Sequence, residues 1–296
     1  MTGPTDPATV PPTPAPTPAP APTPARSSVT SETGAVHGVS TPGGLPEPYY
    51  DDGQLTVYCA DVRQLTADAF GDVAAVVTSP PYNVGVAYDT WDDNLPDTDY
   101  KALADAACTL AAGVLGPKSG RAWVNVGVDR LYLWLHALGS AGLVEHHTVC
   151  WDYGIATADT AWGSWQSPTA PHLRHGWEPV VCAAAGLWPR TPPPGQEHWR
   201  DQLGNWPALC RDVWRIAPGA STHSPHPAVM PTELAARCIR LSTWPTETVL
   251  DPFCGTGTTL LAARMLGRRA IGIEISEQYC ETTARSLAQG VLELVE

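Results

Sequence analysis

Apolar residues recur along this chain at two periods. Leu55–Cys59 alternates with the spacing of a strand, and Val73–Thr78, Arg121–Val126, His147–Trp151, Pro179–Cys182, Thr248–Leu250 and Ala270–Glu274 are short apolar runs of strand length. Between them the spacing changes to that of helices. Leu103, Ala107, Leu110, Ala111 and Leu115 share one face of a helix predicted over 100–115, which Gly116-Pro117 ends. Further helices are expected over 131–138, from Pro231 through Leu241, and over 260–266. Strands alternating with helices predict an α/β fold: a mainly parallel sheet flanked by helices on both faces. Ligands of such sheets gather at the carboxyl ends of the strands, in the crevice where the strand order reverses.

Two predicted strand ends carry unusual loops. Val76-Val77-Thr78 runs into Ser79-Pro80-Pro81-Tyr82-Asn83. The prolines fix φ, and the first keeps Ser79 out of the helical region. The carbonyls of Ser79 and Pro80 are then held as acceptors, and Tyr82 offers a ring face for stacking. A planar group rich in N–H donors, such as an amino-base, fits that description. The second loop, Asp251-Pro252-Phe253-Cys254-Gly255-Thr256-Gly257-Thr258-Thr259, joins a strand to a helix. Gly255 and Gly257 let the backbone approach a ligand, and Thr258 or Thr259 is expected to cap the helix. No third glycine completes a dinucleotide fingerprint, and no Gly-Lys-Ser/Thr makes a phosphate loop. Glu274, at the tip of the next strand, is placed to take both hydroxyls of a ribose. A nucleoside without a pyrophosphate is the ligand suggested.

In this order and spacing the motifs resemble the DNA amino-methyltransferases of the permuted group (the beta class), in which the catalytic motif precedes the cofactor motif. The likeness covers about residues 55–287. It implies a Rossmann-like class I methyltransferase domain, S-adenosylmethionine as cofactor and double-stranded DNA as partner, and leaves room for a cognate restriction endonuclease. It also implies roles. Ser79, Pro80, Pro81 and Tyr82 would be catalytic. Asp61, Thr78, Thr232, Glu233, Asp251, Pro252, Phe253, Cys254, Gly255, Thr256, Gly257, Thr258, Thr259 and Glu274 would hold the cofactor. Asp61 would accept from the adenine amine, and the His226-Pro227-Ala228-Val229-Met230-Pro231 element would lead into the methionine end. A Trp-Gly-Ser segment near the target base is matched by Trp162-Gly163-Ser164, with Trp165 and Arg174 close behind. His175-Gly176-Trp177-Glu178 departs slightly from a His-x-Glu-like element of the family. Adenine enzymes of the family usually carry Asp or Asn where this chain has Ser79, so cytosine N4 is the expected target and adenine N6 the alternative. An RNA or small-molecule methyltransferase, or a non-catalytic DNA-binding relative, fits less well, because Ser-Pro-Pro-Tyr, both glycines and Glu274 occur together.

Composition bounds the rest. Residues 1–48 hold 13 of the 31 prolines and almost no large apolar side chains, so they are expected to form a disordered tail ahead of a domain spanning 49–296. No secretory h-region and no run of 18 apolar residues occurs, which points to a cytoplasmic protein without a membrane span. Eight scattered cysteines form no Cys-x-x-Cys, none follows a proline, and nine histidines show no metal-ligand spacing. Buried free thiols and no metal are expected. The formal charge of −13 is unusual for a protein that binds nucleic acid, so a local basic face is needed. The Trp- and Pro-rich stretch 186–222 is the expected target-recognition insertion. Arg190, Arg200, Arg211 and Arg215 within it are the candidate contacts to bases or phosphates. The acidic run Asp89, Asp92, Asp93, Asp97, Asp99 reads as a solvated loop.

Overall fold

A computed structural model describes residues 44–116, 120–154, 167–171, 176–186, 188–218 and 229–293. The expected tail up to residue 43, together with Trp162, Trp165, Arg174, His175 and His226–Ala228, lies outside the described residues.

Among the described residues nine strands form one sheet. In chain order they are β1 (Tyr50–Asp51), β2 (Leu55–Cys59), β3 (Ala75–Thr78), β4 (Arg121–Asn125), β5 (Val144–Asp152), β6 (Trp177–Ala184), β7 (Val213–Arg215), β8 (Thr248–Asp251) and β9 (Arg269–Glu274). Their order across the sheet is β1-β2-β9-β8-β3-β4-β6-β5-β7. The five central strands, β2 through β4, are parallel. β6 runs antiparallel to both β4 and β5, and β7 continues the edge parallel to β5. Residues 213–215, within the expected recognition insertion 186–222, are thus a short edge strand.

The helices are α1 (Asp97–Leu115), α2 (Leu131–Ser140), α3 (Trp206–Leu209), α4 (Thr232–Ser242), α5 (Thr258–Met265) and α6 (Glu277–Glu293). Alternate residues of the central strands feed opposite faces, as a doubly covered sheet requires. Val76, Val124, Leu250 and Ile273 pack with Leu103, Leu110, Trp134 and Leu138 of α1 and α2. Ala75, Val77 and Val249 pack with Leu234, Ile239, Leu260 and Leu287 of α4, α5 and α6. α1 starts three residues ahead of the expected Tyr100, just after Pro96, with Asp97 and Asp99 in the first turn where the helix dipole favours acids.

The chain visits β2, skips two places to β3, builds outward, and returns through α4 to lay β8 and β9 in the gap. β3 and β8 are therefore neighbours although 173 residues separate Thr78 from Asp251. The crevice at their carboxyl ends is the switch point. Five of the cysteines are buried free thiols, but Cys59 and Cys150 are half-buried and Cys210 is exposed.

Candidate active site

The two unusual loops leave adjacent strand tips and are tied together there. Thr78 donates its hydroxyl to Asp251 Oδ1 at 2.7 Å, and the Phe253 N–H donates to the same oxygen at 3.0 Å. Asp251 is buried, and burial pushes its carboxyl up to about 6 against the pull of those bonds. This pair braces the loops. Both residues were expected to touch a cofactor, yet their polar atoms are directed at each other.

An open cleft lies above the brace in two lobes. The larger, about 570 Å³, is lined by Asp61, Pro81, Trp91, Pro252, Phe253, Ile273 and Glu274, among others. The smaller, about 310 Å³, is lined by Met230, Asp251, Cys254, Gly255, Thr256, Thr258 and Thr259. Ser79 and Phe253 border both lobes. Glu274 closes the larger one: its Oε2 accepts the Gly255 N–H and its Oε1 the Ser276 N–H, each at 2.9 Å. Burial raises this carboxyl, with the two N–H bonds opposing. Each oxygen keeps acceptor capacity for a ligand hydroxyl. Burial alone would also raise Asp61, but Arg63, bonding through its guanidinium and its N–H, outweighs burial and holds the carboxyl below its ordinary value. The Arg63 guanidinium in turn lies 5.5 Å from the centre of the Trp91 ring.

The glycine turn enters α5 differently from expectation. Gly257 occupies the cap position at φ +84°, and neither Thr258 nor Thr259 caps the helix. A Cβ at Gly257 would lie 2.6 Å from Thr283 Cγ2, so position 257 needs glycine for space as well as for φ. The first-turn N–H groups thus lack a side-chain cap beside the smaller lobe.

Buried Asp93 organises the diproline loop. Its carboxylate accepts the N–H groups of Asn83, Val84 and Val86 at 2.8, 3.0 and 3.1 Å. A solvated role was expected for this residue, but one carboxylate satisfying three loop donors is a structural anchor. Tyr100 donates to the Pro81 carbonyl at 2.7 Å. Among the described residues no donor reaches the carbonyls of Ser79 or Pro80. The half-buried Tyr82 directs its hydroxyl to Glu178 Oε2 at 2.6 Å and Asn125 Oδ1 at 3.0 Å. Burial, then the negative charge of Glu178, raises this phenol above its ordinary value.

A family model described as DNA methylase matches residues 73–285, most of the chain. The chain belongs to the DNA methylase family. Among curated relatives, the Type II methyltransferase M.ScaI of Streptomyces caespitosus is 27% identical over 80% of this chain and 82% of its own. M2.DpnII of Streptococcus pneumoniae is 27% identical over 82% and 93%. Among solved structures, the TTHA0409 protein of Thermus thermophilus, complexed with S-adenosyl-L-methionine, aligns with a TM-score of 0.60. It is 25% identical and covers 79% of this chain and 93% of its own. The cytosine-N4-specific PvuII DNA methyltransferase shares the fold at a TM-score of 0.61 and 18% identity, over 80% of this chain and 87% of its own.

In this methylase the expected site residues divide. Ser79, Pro81, Asp61, Phe253, Glu274 and the glycine loop meet at the cleft. Pro80 is buried and lines neither lobe. Tyr82 stands beside it, its ring 3.3 Å from where a Cβ on Gly127 would sit. Thr232 and Glu233 line neither lobe; exposed Glu233 pairs with Arg237 one helical turn on, and Met230 reaches the cleft instead.

The recognition arginines divide between the two ends of the sheet. Arg190 is bound to Glu247 at 2.8 Å and to the Ser242 carbonyl, ahead of the amino end of β8 and far from its tip. Arg200 donates to the Trp199 carbonyl at 2.8 Å within the same segment, and Arg211 precedes the amino end of β7. All three are at the end of the sheet opposite the cleft. Arg215 alone of the four is at a carboxyl end, where it pairs with Asp152 at 2.9 Å. The readings of Trp162, Trp165 and Arg174 stay outside the described residues. Trp91 was missed, although an aromatic inside the acidic run was the available signal; Met230 belongs to the element expected at the methionine end.

Proposed function

We propose that this methylase transfers the methyl group of S-adenosylmethionine to the exocyclic amine of a base turned out of duplex DNA, cytosine N4 before adenine N6. The observation carrying this reading is the position of Ser79. It borders both lobes, beside two carbonyls that no described donor occupies and a tethered tyrosine.

The cleft suits the cofactor. Glu274 retains acceptor capacity for a ribose diol, Trp91, Phe253 and Ile273 supply apolar walls, and the Gly255 turn leaves room for a methionine chain beside Met230. When bound, S-adenosylmethionine supplies an electrophilic methyl carbon. The chain's own residues prepare the nucleophile. An exocyclic amine shares its lone pair with the ring, and acceptors aimed at its two N–H bonds draw it toward sp³ and free that pair. The Ser79 hydroxyl oxygen and the Pro80 carbonyl have that role. They are also placed to stabilise the positive charge that grows on nitrogen during transfer. Holding amine and donor in line accounts for much of the remaining acceleration. Turning the base out costs a few kcal/mol, which stacking on Tyr82, about 1–3 kcal/mol, partly offsets.

Serine at position 79 favours cytosine, whose amine does not need the stronger ionised acceptor of an aspartate. The same reading includes a cytoplasmic setting and leaves room for a cognate restriction endonuclease. Recognition of the target falls to groups at the cleft end, such as Arg215, and away from residues 188–200. Nucleoside mass spectrometry of DNA from cells expressing the protein tests the assignment. N4-methylcytosine is expected, N6-methyladenine would reassign the base, and neither modification would remove the proposal.

A further inference from the structure

The Ser79 hydroxyl can act in either direction, and only one direction is useful. If it donated its proton to the target amine, it would tie up the lone pair that must attack. Four side chains beside it determine the direction.

Glu178, at the start of β6, receives donors on both carboxylate oxygens. Oε1 accepts the Tyr153 hydroxyl. Oε2 accepts the Tyr82 hydroxyl at 2.6 Å and Asn125 Nδ2 at 3.1 Å. The Asn125 amide has a single sensible orientation. Its NH2 faces the Glu178 carboxylate and the Pro179 carbonyl at 3.3 Å, and rotating it would set its oxygen against two acceptors. Its Oδ1 therefore faces Tyr82 as an acceptor, at 3.0 Å. Tyr82 has one proton, and both neighbours on that side can only accept, so the proton is committed to them. What remains on the Tyr82 oxygen is lone-pair density, and Ser79 Oγ lies 3.4 Å away. In that contact Ser79 must be the donor. The distance is long for an O–H···O bond, as catalytic hydrogen bonds often are before substrate binds.

We propose that Glu178 is a positioning residue that sets the polarity of a chain Ser79 → Tyr82 → Glu178, turning the serine proton away from the cleft so that Ser79 Oγ meets the target amine only as an acceptor. The inference rests on the amine-transfer reading above. It gives the tyrosine hydroxyl a task distinct from ring stacking, and it gives the carboxylate a task without direct contact to substrate. It also accounts for the placement of an acid at the second position of an otherwise apolar strand, next to Pro179, whose carbonyl accepts from Asn125 at the tip of β4.

The test pairs Glu178→Gln with Tyr82→Phe. Glutamine is isosteric but can accept from only one of the two tyrosines, and phenylalanine keeps the stacking face. Each single variant is expected to lose at least about tenfold in kcat, with the affinity for S-adenosylmethionine and the KM for DNA within about threefold of wild type. The double variant should be no slower than the worse single one, because both changes break the same chain. A readout free of activity goes alongside. In protein labelled with 3-fluorotyrosine, the fluorine resonances of Tyr82 and Tyr153, assigned with Tyr82→Phe and Tyr153→Phe, should both move in Glu178→Gln while thermal melting stays close to wild type. An unmoved Tyr82 resonance, or rate losses that multiply in the double variant, would overturn the proposal. A wild-type protein that modifies no DNA would instead defeat the amine-transfer reading, and the fluorine spectra would still decide whether Glu178 holds Tyr82.

Discussion

The two ends of the sheet use charge in opposite ways. At the cleft end the described charges are mainly carboxylates, and each is placed to collect donors: Asp93 on three loop N–H groups, Glu274 on two, Glu178 on two hydroxyls and an amide. At the other end arginines lie over indoles. Arg121 sits 4.2 Å from the centre of the Trp188 ring, Arg190 4.9 Å from Trp244 and Arg268 5.4 Å from Trp199. Their N–H groups go to nearby carbonyls, hydroxyls and Glu247. These guanidiniums fasten residues 188–200 to the sheet. Arginine beside tryptophan is a reasonable nucleic-acid signature in a sequence, but the same pairing closes a protein surface when backbone acceptors surround it.

Substitutions at the two ends should therefore fail differently. The largest effect is expected from Ser79→Ala, which removes an acceptor that works in the transition state. Its kcat should fall about 100-fold or more, while calorimetry finds S-adenosylmethionine affinity nearly unchanged. Lost cofactor binding would make Ser79 a structural residue. At the far end, Arg190→Ala breaks a half-buried pair and a stacked contact. Urea melts should show a loss of about 2–4 kcal/mol, with DNA affinity unaltered per folded molecule; weakened DNA binding at full stability would restore the recognition role.

Asp251 gives a smaller effect that depends on pH. Its folded value, about 6, lies above its ordinary 3.8, so the fold favours the protonated acid. That contribution is complete at low pH and is lost as pH rises through about 6. Relative to Asp251→Asn, the wild type should lose about 2–3 kcal/mol between pH 4 and pH 7. A gap that stays constant across this window would mean that the carboxyl is not raised. The smallest change is expected from Arg215→Ala, an exposed pair with Asp152 at the cleft end. Stability should shift by less than about 0.5 kcal/mol, and the slope of log affinity for DNA against log salt should flatten by about one. An unchanged slope would leave Arg215 without a phosphate.

The diproline loop and the glycine turn were legible because their residues set their own backbone. Proline fixes φ wherever it stands, and Gly255 and Gly257 adopt φ of +51° and +84°, which other residues resist. The strands other than β1 and β7, and the spans of α1, α2, α4 and α5, followed from period alone, since a doubly covered sheet demands continuous apolar runs. The capping of α5 was misread because threonine is a common cap, yet here a left-handed glycine holds that place. Asp93 was misread for a related reason: whether an aspartate is solvated or anchors a loop depends on whether the chain folds back around it.

Sequence by itself determined the fold class, the family and the two loops that meet in the cleft, all of them properties of short segments with strong local preferences. The tertiary structure decided which polar groups face one another. It set Glu178 against Tyr82, Thr78 against Asp251 and Arg190 against Glu247 across separations of 96, 173 and 57 residues. Contacts of that kind follow from strand order and helix packing, and a side chain's charge carries no record of the partner that the fold will bring to it.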